Sequence, residues 1–289
     1  MISPARDEAQ FIERTLASMI SQTLRPLKWV IVDDGSRDGT QEIVDRYAQR
    51  VDWIIPLTLR RNVEREPGLA VIQAFNAGFE LVRDQECDFL VKLDTDLELP
   101  PDYFERMLTE FDRDPALGIA SGVYLEMNNG IWNSVKMPKY HAAGASKIIR
   151  RACYEEIGGF ATLPGWDTAD EIKAQSRGWG TAHFSDIHFY HLRSEGSATG
   201  LMRTHVRHGH TYYVCGGGAL FFFLKCLHRV MFGRPFFTGA AALLYGYVRA
   251  ALTRPPKLVS AAEARAYRKM LNARLTGRFS RAVHVSRAS

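Results

Sequence analysis

The stretch VKLDTDLELPPDYF, residues 91–104, decides the fold. It continues an apolar run, Phe89–Leu93, that is broken only by Lys92 and stops at Asp94-Thr95-Asp96. A short apolar run bounded by turn-forming residues reads as a buried strand, here with two carboxylates at its carboxyl end. In open parallel sheets, ligands bind outside the carboxyl ends of the strands. Paired carboxylates at such a place suit a divalent cation that also touches phosphate oxygens, the usual way Mg²⁺ is held. The competing reading is a polar loop in which Asp94 and Asp96 only bond to nearby backbone. Their position at the end of an apolar run favours the first. Pro100-Pro101 then opens a helix over about 101–113, because proline is tolerated in a first turn.

Upstream, VIVDDGSRDGT (residues 30–40) repeats the design: the apolar run Trp29–Val32 ends in Asp33-Asp34-Gly35-Ser36. Carboxylates so placed can accept hydrogen bonds from a ribose hydroxyl or a base N–H. Ser36 or Asp38 can instead cap the following helix. Helical spacing of apolar residues predicts helices over 7–22 (Ile12, Leu16, Met19, Ile20), around Ile43–Ala48, and over Val71–Val82. Trp53–Leu59 and Ile119–Leu125 read as further strands. Strand–helix alternation over the first 125 residues implies an α/β fold, a mostly parallel sheet with helices on both faces.

The whole chain has 289 residues, 46% apolar and 24% charged, which is ordinary globular composition. Its four cysteines, Cys87, Cys153, Cys215 and Cys226, lie far apart, which excludes a zinc ribbon or a disulfide scaffold. No apolar core of signal-peptide length opens the chain. The net charge of +5 hides an asymmetry: residues 201–289 carry 15 Lys and Arg against one acid, Glu263, leaving 22 bases against 31 acids in residues 1–200. That tail also holds the two most apolar runs, Tyr212–Leu224 and residues 236–252. Both are short for a spanning helix, and bases flank both: Lys225, Arg229 and Arg234; Arg249, Arg254 and Lys257. We expect an α/β domain over 1–200 and a basic, apolar helical region over 201–289 that lies on a membrane surface, with no nucleic-acid partner.

Taken in order, the segments Ser3-Pro4-Ala5-Arg6-Asp7-Glu8, VIVDDGSRDGT, KLDTD (92–96) and GWDTADEIKAQSRGW (165–179) resemble family 2 glycosyltransferases, enzymes of the GT-A fold that use nucleotide-sugar donors. The resemblance covers roughly residues 1–195. It implies that Pro4, Arg6, Glu8, Asp33 and Asp34 hold the nucleotide, and that Asp94 and Asp96 bind a metal and the donor diphosphate. His191 is implied as a further metal ligand, since related GT-A enzymes use a late histidine this way. Lys92, Arg177 and Arg193 are available to offset diphosphate charge. Asp7 stands where the family more often has asparagine. Only Met1 and Ile2 precede the Pro loop where the family has a complete strand, so we expect the natural chain to begin further upstream.

The family's third carboxylate lies near a helix start, some eleven residues before a Gly-aromatic pair. Gly178-Trp179 supplies the pair, and counting back gives Asp167, with Asp170 and Glu171 on the same helix face. An inverting transfer needs a base within reach of the acceptor hydroxyl. Asp167 is the expected base, with Asp170 next. His188 and His191 fall on opposite faces of any strand and would not jointly chelate a metal, and His205, His208 and His210 read as a basic, headgroup-facing loop. Tyr212-Tyr213 beside them suits a membrane–water boundary.

The resulting expectation is a metal-dependent (Mg²⁺ or Mn²⁺), inverting glycosyltransferase at the cytoplasmic face of the inner membrane. Its donor would be a UDP- or GDP-sugar and its acceptor lipid-linked or polysaccharide, in exopolysaccharide or cell-envelope assembly. Family synthases that polymerise carry Gln-x-x-Arg-Trp. Gln175-Ser176-Arg177-Gly178-Trp179 has those residue types in another register, so single-sugar addition is expected. Two alternatives remain. A sugar-1-phosphate nucleotidyltransferase would need a Gly-rich first loop, and residues 1–10 contain no glycine. A non-catalytic basic membrane-binding protein would explain the tail but not acids at two strand ends and a helix start.

Overall fold

A computed structural model describes residues 1–59, 69–193, 200–232 and 235–275. Ile2–Ala5 form β1, Trp29–Asp33 β2, Ile54–Thr58 β3 and Phe89–Leu93 β4. These four are mutually parallel: β1 lies between β2 and β4, and β3 flanks β2. The strand expected upstream of the Pro loop is therefore made by Ile2–Ala5 itself. Pro4 fits inside it because β4 pairs with β1 only at Ile2, so no ladder bond is asked of the missing N–H.

Beyond β4 the sheet runs on through one strand that the run Ile119–Leu125 announced and through others that the sequence did not. β8 (Ser146–Arg150) is antiparallel to β4, and β6 (Leu117–Asn128) is antiparallel to β8. β9 (Gly180–His191) runs parallel to β6, and β5 (Leu97–Glu98) pairs antiparallel with the end of β9. The order is β3-β2-β1-β4-β8-β6-β9-β5, with β7 (Ile131–Ser134) hairpinned onto β6. Trp29 and Ile31 face a core shared with Ile12, Leu16 and Met19 of α1 (Ile12–Ile20), Val44 of α2 (Thr40–Ala48) and Phe104, Met107 and Phe111 of α4 (Tyr103–Arg113). On the opposite face, α3 (Leu69–Glu80) approaches so closely that a Cβ on Gly78 would lie 2.8 Å from both Ile2 and Val32. Helices thus cover both faces, as the alternating pattern predicts. The helix expected from residue 7 begins only at Ile12, because residues 6–11 are drawn into a loop bonded to the segment after β2.

The chain divides into two compact units: Met1–Leu163 with Arg177–Glu195, and Pro164–Ser176 with Gly196–Ser289. The first holds the sheet and α5 (Arg151–Glu156). The second is helical: α6 (Trp166–Ser176), α7 (Leu201–Val214), α8 (Ala219–Phe232), α9 (Phe236–Thr253) and α10 (Ala261–Leu275). Within it α7 and α9 cross so tightly that side chains at Gly209 and Gly246 would collide with the Leu243 and Val206 carbonyls.

Three expectations about the tail are corrected. The run Tyr212–Leu224 is not one element: α7 stops at Val214 and the chain turns through Gly216, whose φ of 75° suits glycine. Tyr212 is a core residue, packed on Phe222 at 4.9 Å and donating to the Gly218 carbonyl at 3.1 Å, so it is no boundary ring. His205, His208 and His210 lie on α7 rather than in a loop, and His205 is buried against Arg229 at 2.7 Å. Among the described residues, no helix is long and apolar enough to cross a membrane. Arg234 lies outside the described residues.

Candidate active site

The acids at the strand ends are placed by the backbone. Asp34 follows β2, and its N–H donates to the Ala5 carbonyl at 2.9 Å, tying the ends of β1 and β2 together. Residues 7–9 are then stitched to residues 36–40. The N–H of Asp7 reaches Ser36 Oγ at 2.9 Å, that of Glu8 reaches Thr40 Oγ1 at 2.8 Å, and that of Ala9 reaches Asp38 Oδ2 at 3.0 Å. Asp7 closes the set by accepting from the Arg37 N–H at 2.9 Å. Asp7 has a φ of 55°, in the left-handed region that aspartate and asparagine tolerate better than most residues. The two loops after β1 and β2 therefore form one rigid rim. Asp33 spends one carboxylate oxygen on that rim, accepting from the Ser36 N–H at 3.0 Å and from the Ser36 hydroxyl. Asp34 is buried, with Arg6 Nη1 3.9 Å from its Oδ2.

The Asp94–Asp96 turn sits on α1: Thr15 Oγ1 donates to the Thr95 carbonyl at 2.8 Å and accepts from the Leu97 N–H at 3.1 Å. Lys92 is buried, and its ammonium binds Asp94 and the Gly144 carbonyl. It thus acts on Asp94 and does not present its charge directly to solvent. Burial, with Asp96 nearby, pushes the Asp94 carboxyl above its usual range against the pull of Lys92. Asp96 goes the other way: burial is outweighed by the hydrogen bond and charge of His191 and by Arg193, and its carboxyl is held low.

The register of β6 against β9 sets Glu126 directly beside His191. His191 Nδ1 lies 3.3 Å from Glu126 Oε1, and Nε2 lies 3.5 Å from Asp96 Oδ2. Burial alone would lower the imidazole pKa, but these carboxylates push it up to about 10. Arg193, just past β9, bonds to Glu8 and has Nε 3.8 Å from Asp96 Oδ2. Its guanidinium also stacks over Phe11 at 5.1 Å. Arg193 thus ties the ends of β4 and β9 to Glu8 on the rim built after β1 and β2. Glu126 was missed in the sequence, since no local pattern connects it to a histidine 65 residues away.

Among the described residues, no three His, Cys, Asp or Glu side chains are set as a metal cage. The donor set still fits a Mg²⁺-type ion, which takes one or two carboxylates and completes its shell with water and substrate phosphates. Glu126 on Nδ1 turns Nε2 of His191 toward Asp96, the carboxylate–histidine arrangement that orients metal-binding imidazoles.

In the other unit, Asp167 is in the first turn of α6 and half-buried, while Asp170 and Glu171 are each 1% exposed. The Glu171 N–H donates to Asp170 Oδ1 at 2.7 Å. Burial, reinforced by these three acids, raises the Cys215 thiol far above its normal pKa, so it is no thiolate nucleophile.

A curled α/β sheet with acids at adjoining strand ends, linked into one polar rim, is the GT-A class of fold. The chain belongs to glycosyltransferase family 2: the sequence profile described as "Glycosyl transferase family 2" matches residues 1–162, more than half its length. A poly-beta-1,6-N-acetyl-D-glucosamine synthase of Staphylococcus aureus (strain COL) is 26% identical over 116 residues, which is 40% of this chain and 26% of that protein. An undecaprenyl-phosphate 4-deoxy-4-formamido-L-arabinose transferase of Shewanella sediminis is 31% identical over 102 residues, 35% of this chain and 28% of its own. The matched segments thus span about a quarter of these curated relatives. Among solved structures, the mannosyltransferase PcManGT of Pyrobaculum calidifontis, in complex with GDP-Man and Mn²⁺, superposes with a TM-score of 0.55 at 20% identity, covering 94% of this chain and 79% of that one. A TarS fragment of S. aureus in complex with UDP-GlcNAc gives 0.55 at 16% identity, covering 87% and 72%. At these identities the likeness is one of fold.

Proposed function

We propose that this chain transfers a sugar, with inversion, from a UDP- or GDP-sugar to a lipid-linked or polysaccharide acceptor at the cytoplasmic face of the membrane. The reading is carried by one observation: Arg193, Glu8, Asp96 and His191 join the β9 end to the rim built on β1 and β2. Pro4, Arg6, Glu8, Asp33 and Asp34 line the nucleotide end, with Asp33 shaping the loop and Asp34 facing Arg6. Lys92 contributes by orienting Asp94 toward the diphosphate. Asp94, Asp96 and His191 would hold a divalent cation, Mg²⁺ or Mn²⁺, and Glu126 would fix the imidazole. Such a cation offsets the charge that builds on the departing nucleoside diphosphate. Membership in the family and the presence of Mn²⁺ with GDP-Man in a neighbour of the same fold support this assignment.

Asp167 is the proposed base, taking the acceptor hydroxyl proton as the bond to the anomeric carbon forms. It is preferred over Asp170 because a base must reach an incoming hydroxyl, and Asp170 is fully buried. Donor handling is assigned to residues 1–200 and membrane attachment to 201–289. The acceptor class is supported by the names of the relatives, one a polysaccharide synthase and one an undecaprenyl-phosphate transferase. The register of Gln175–Trp179 supports addition of one sugar per encounter over polymerisation.

The test is incubation of the full chain with Mn²⁺, a panel of UDP- and GDP-sugars and a polyprenyl-phosphate acceptor. Nucleoside diphosphate release that rises with acceptor is expected. Pyrophosphate chemistry would favour the nucleotidyltransferase, and silence across the panel would contradict the assignment.

A further inference from the structure

The helical unit turns apolar side chains outward in an ordered way. On α8, Leu220, Phe223, Leu224, Leu227 and Met231 are exposed, and their spacing puts them on a single face. Phe223 is 63% exposed and Met231 61%. The other side of the helix is buried through Phe222 and Cys226, with Phe222 stacked on Tyr247 at 4.3 Å. The next helix repeats the arrangement. Phe237, Leu244, Tyr245, Val248 and Leu252 of α9 are exposed, Leu252 at 78%, while Ala240, Leu243 and Ala250 face inward.

The outward stripe of α8 carries no charge, although the helix has two bases. Lys225 sends its ammonium over the Tyr212 ring at 5.8 Å, and Arg229 bonds to His205 at 2.7 Å, both on buried partners. Apolar stripes of this length on adjoining helices mark an interaction surface.

We propose that the outward faces of α8 and α9 are a lipid-docking surface that lies in the plane of an anionic bilayer. Two observations select this occupant. First, residues 201–289 hold one acid against 15 bases, and Arg203, Arg249, Arg254, Lys257, Arg265 and Lys269 are exposed. A second copy of the chain would bring like charges together, whereas anionic headgroups complement them. Second, α8 and α9 have 14 and 18 residues, and neither qualifies as a membrane span. Amphipathic helices of low charge on one face and basic flanks settle in the headgroup boundary instead. The inference sharpens the membrane placement proposed above, but its observations all lie in the helical unit and do not depend on the chemistry of the sheet.

The experiment is co-sedimentation of the full chain with phosphatidylcholine vesicles and with vesicles containing 30% phosphatidylglycerol, without donor or metal. The wild type is compared with a Phe223→Glu, Leu227→Glu variant. We expect pelleting with the anionic vesicles and a partition coefficient lowered on the order of tenfold or more in the variant. The melting temperature of the variant should stay unchanged, since both side chains are exposed. Equal pelleting of variant and wild type would overturn the proposal. So would a wild type that stays in the supernatant, or one that sediments as a dimer only the variant abolishes. Sugar-transfer assays on a soluble acceptor read the other proposal separately, so either can fail alone.

Discussion

The two units of this chain both bury charge but differ in what they turn outward. In the sheet unit, charge is drawn inward: Asp34, Asp96, Glu8 and Lys92 are buried, and each has a partner of opposite charge. In the helical unit Asp170 and Glu171 of α6 are also buried, but apolar side chains are turned outward along two helices, and residues 201–289 carry 15 bases against one acid. Burying a charge costs several kcal/mol unless it is paired, so a network of this kind persists where the fold holds every member in place. Leaving a large apolar side chain in water forfeits its burial energy, about 1.5–3 kcal/mol. On the proposed reading, the first unit holds a small, highly charged ligand and the second meets an extended, apolar one with charged edges.

That contrast can be broken at several points. The largest effect is expected at the proposed base. Asp167→Asn should lower kcat by about 10²–10⁴ and leave donor affinity within twofold, read by steady-state kinetics and calorimetry. Retained turnover would remove Asp167 from the chemistry. Next comes Glu126→Gln, which should weaken Mn²⁺ binding about 10–100-fold by releasing the His191 ring, measured by electron paramagnetic resonance of free Mn²⁺. An unchanged affinity would reduce the Glu126–His191 contact to ordinary packing. Gly78→Ala then probes the sheet unit alone: a Cβ 2.8 Å from Ile2 and Val32 should cost about 1–3 kcal/mol in denaturant unfolding. The smallest effect belongs to the other unit. Leu244→Gln changes an outward-facing group that is 45% exposed, so stability should change by no more than about 0.5 kcal/mol. A large loss there would show that the stripe is covered within the chain itself.

Much of the sheet unit could be read from local pattern. The runs at Trp29–Val32 and Phe89–Leu93 became β2 and β4 with the acids at their carboxyl ends, because a fully buried parallel strand is apolar along its whole length. β8 and β9 escaped notice for the converse reason. β9 alternates polar and apolar residues and is broken by a bulge between Gly122 and Val123 of its partner, so no continuous run announces it. With β9 hidden, its pairing of Glu126 with His191 was hidden too, since that contact exists only through register between distant strands. Lys92 was legible as a charge near the site. Its burial beneath Asp94 was not, because that depends on the Gly144 carbonyl from another segment. In the tail, hydropathy located the apolar runs but not the turn at Gly216 that splits the first, and so Tyr212 was assigned to a boundary when it belongs to the core.

The central claim is that the sheet unit gathers its carboxylates around a cation and a diphosphate. Calorimetric titration of the full chain with UDP and with GDP, in MnCl₂ and in EDTA, tests it most directly when repeated on Asp96→Asn. One of the two nucleotides should bind the wild type in Mn²⁺ and at least about tenfold more weakly in EDTA, with Asp96→Asn losing the metal-dependent part. Affinity that is the same in EDTA, or untouched in Asp96→Asn, would contradict the account.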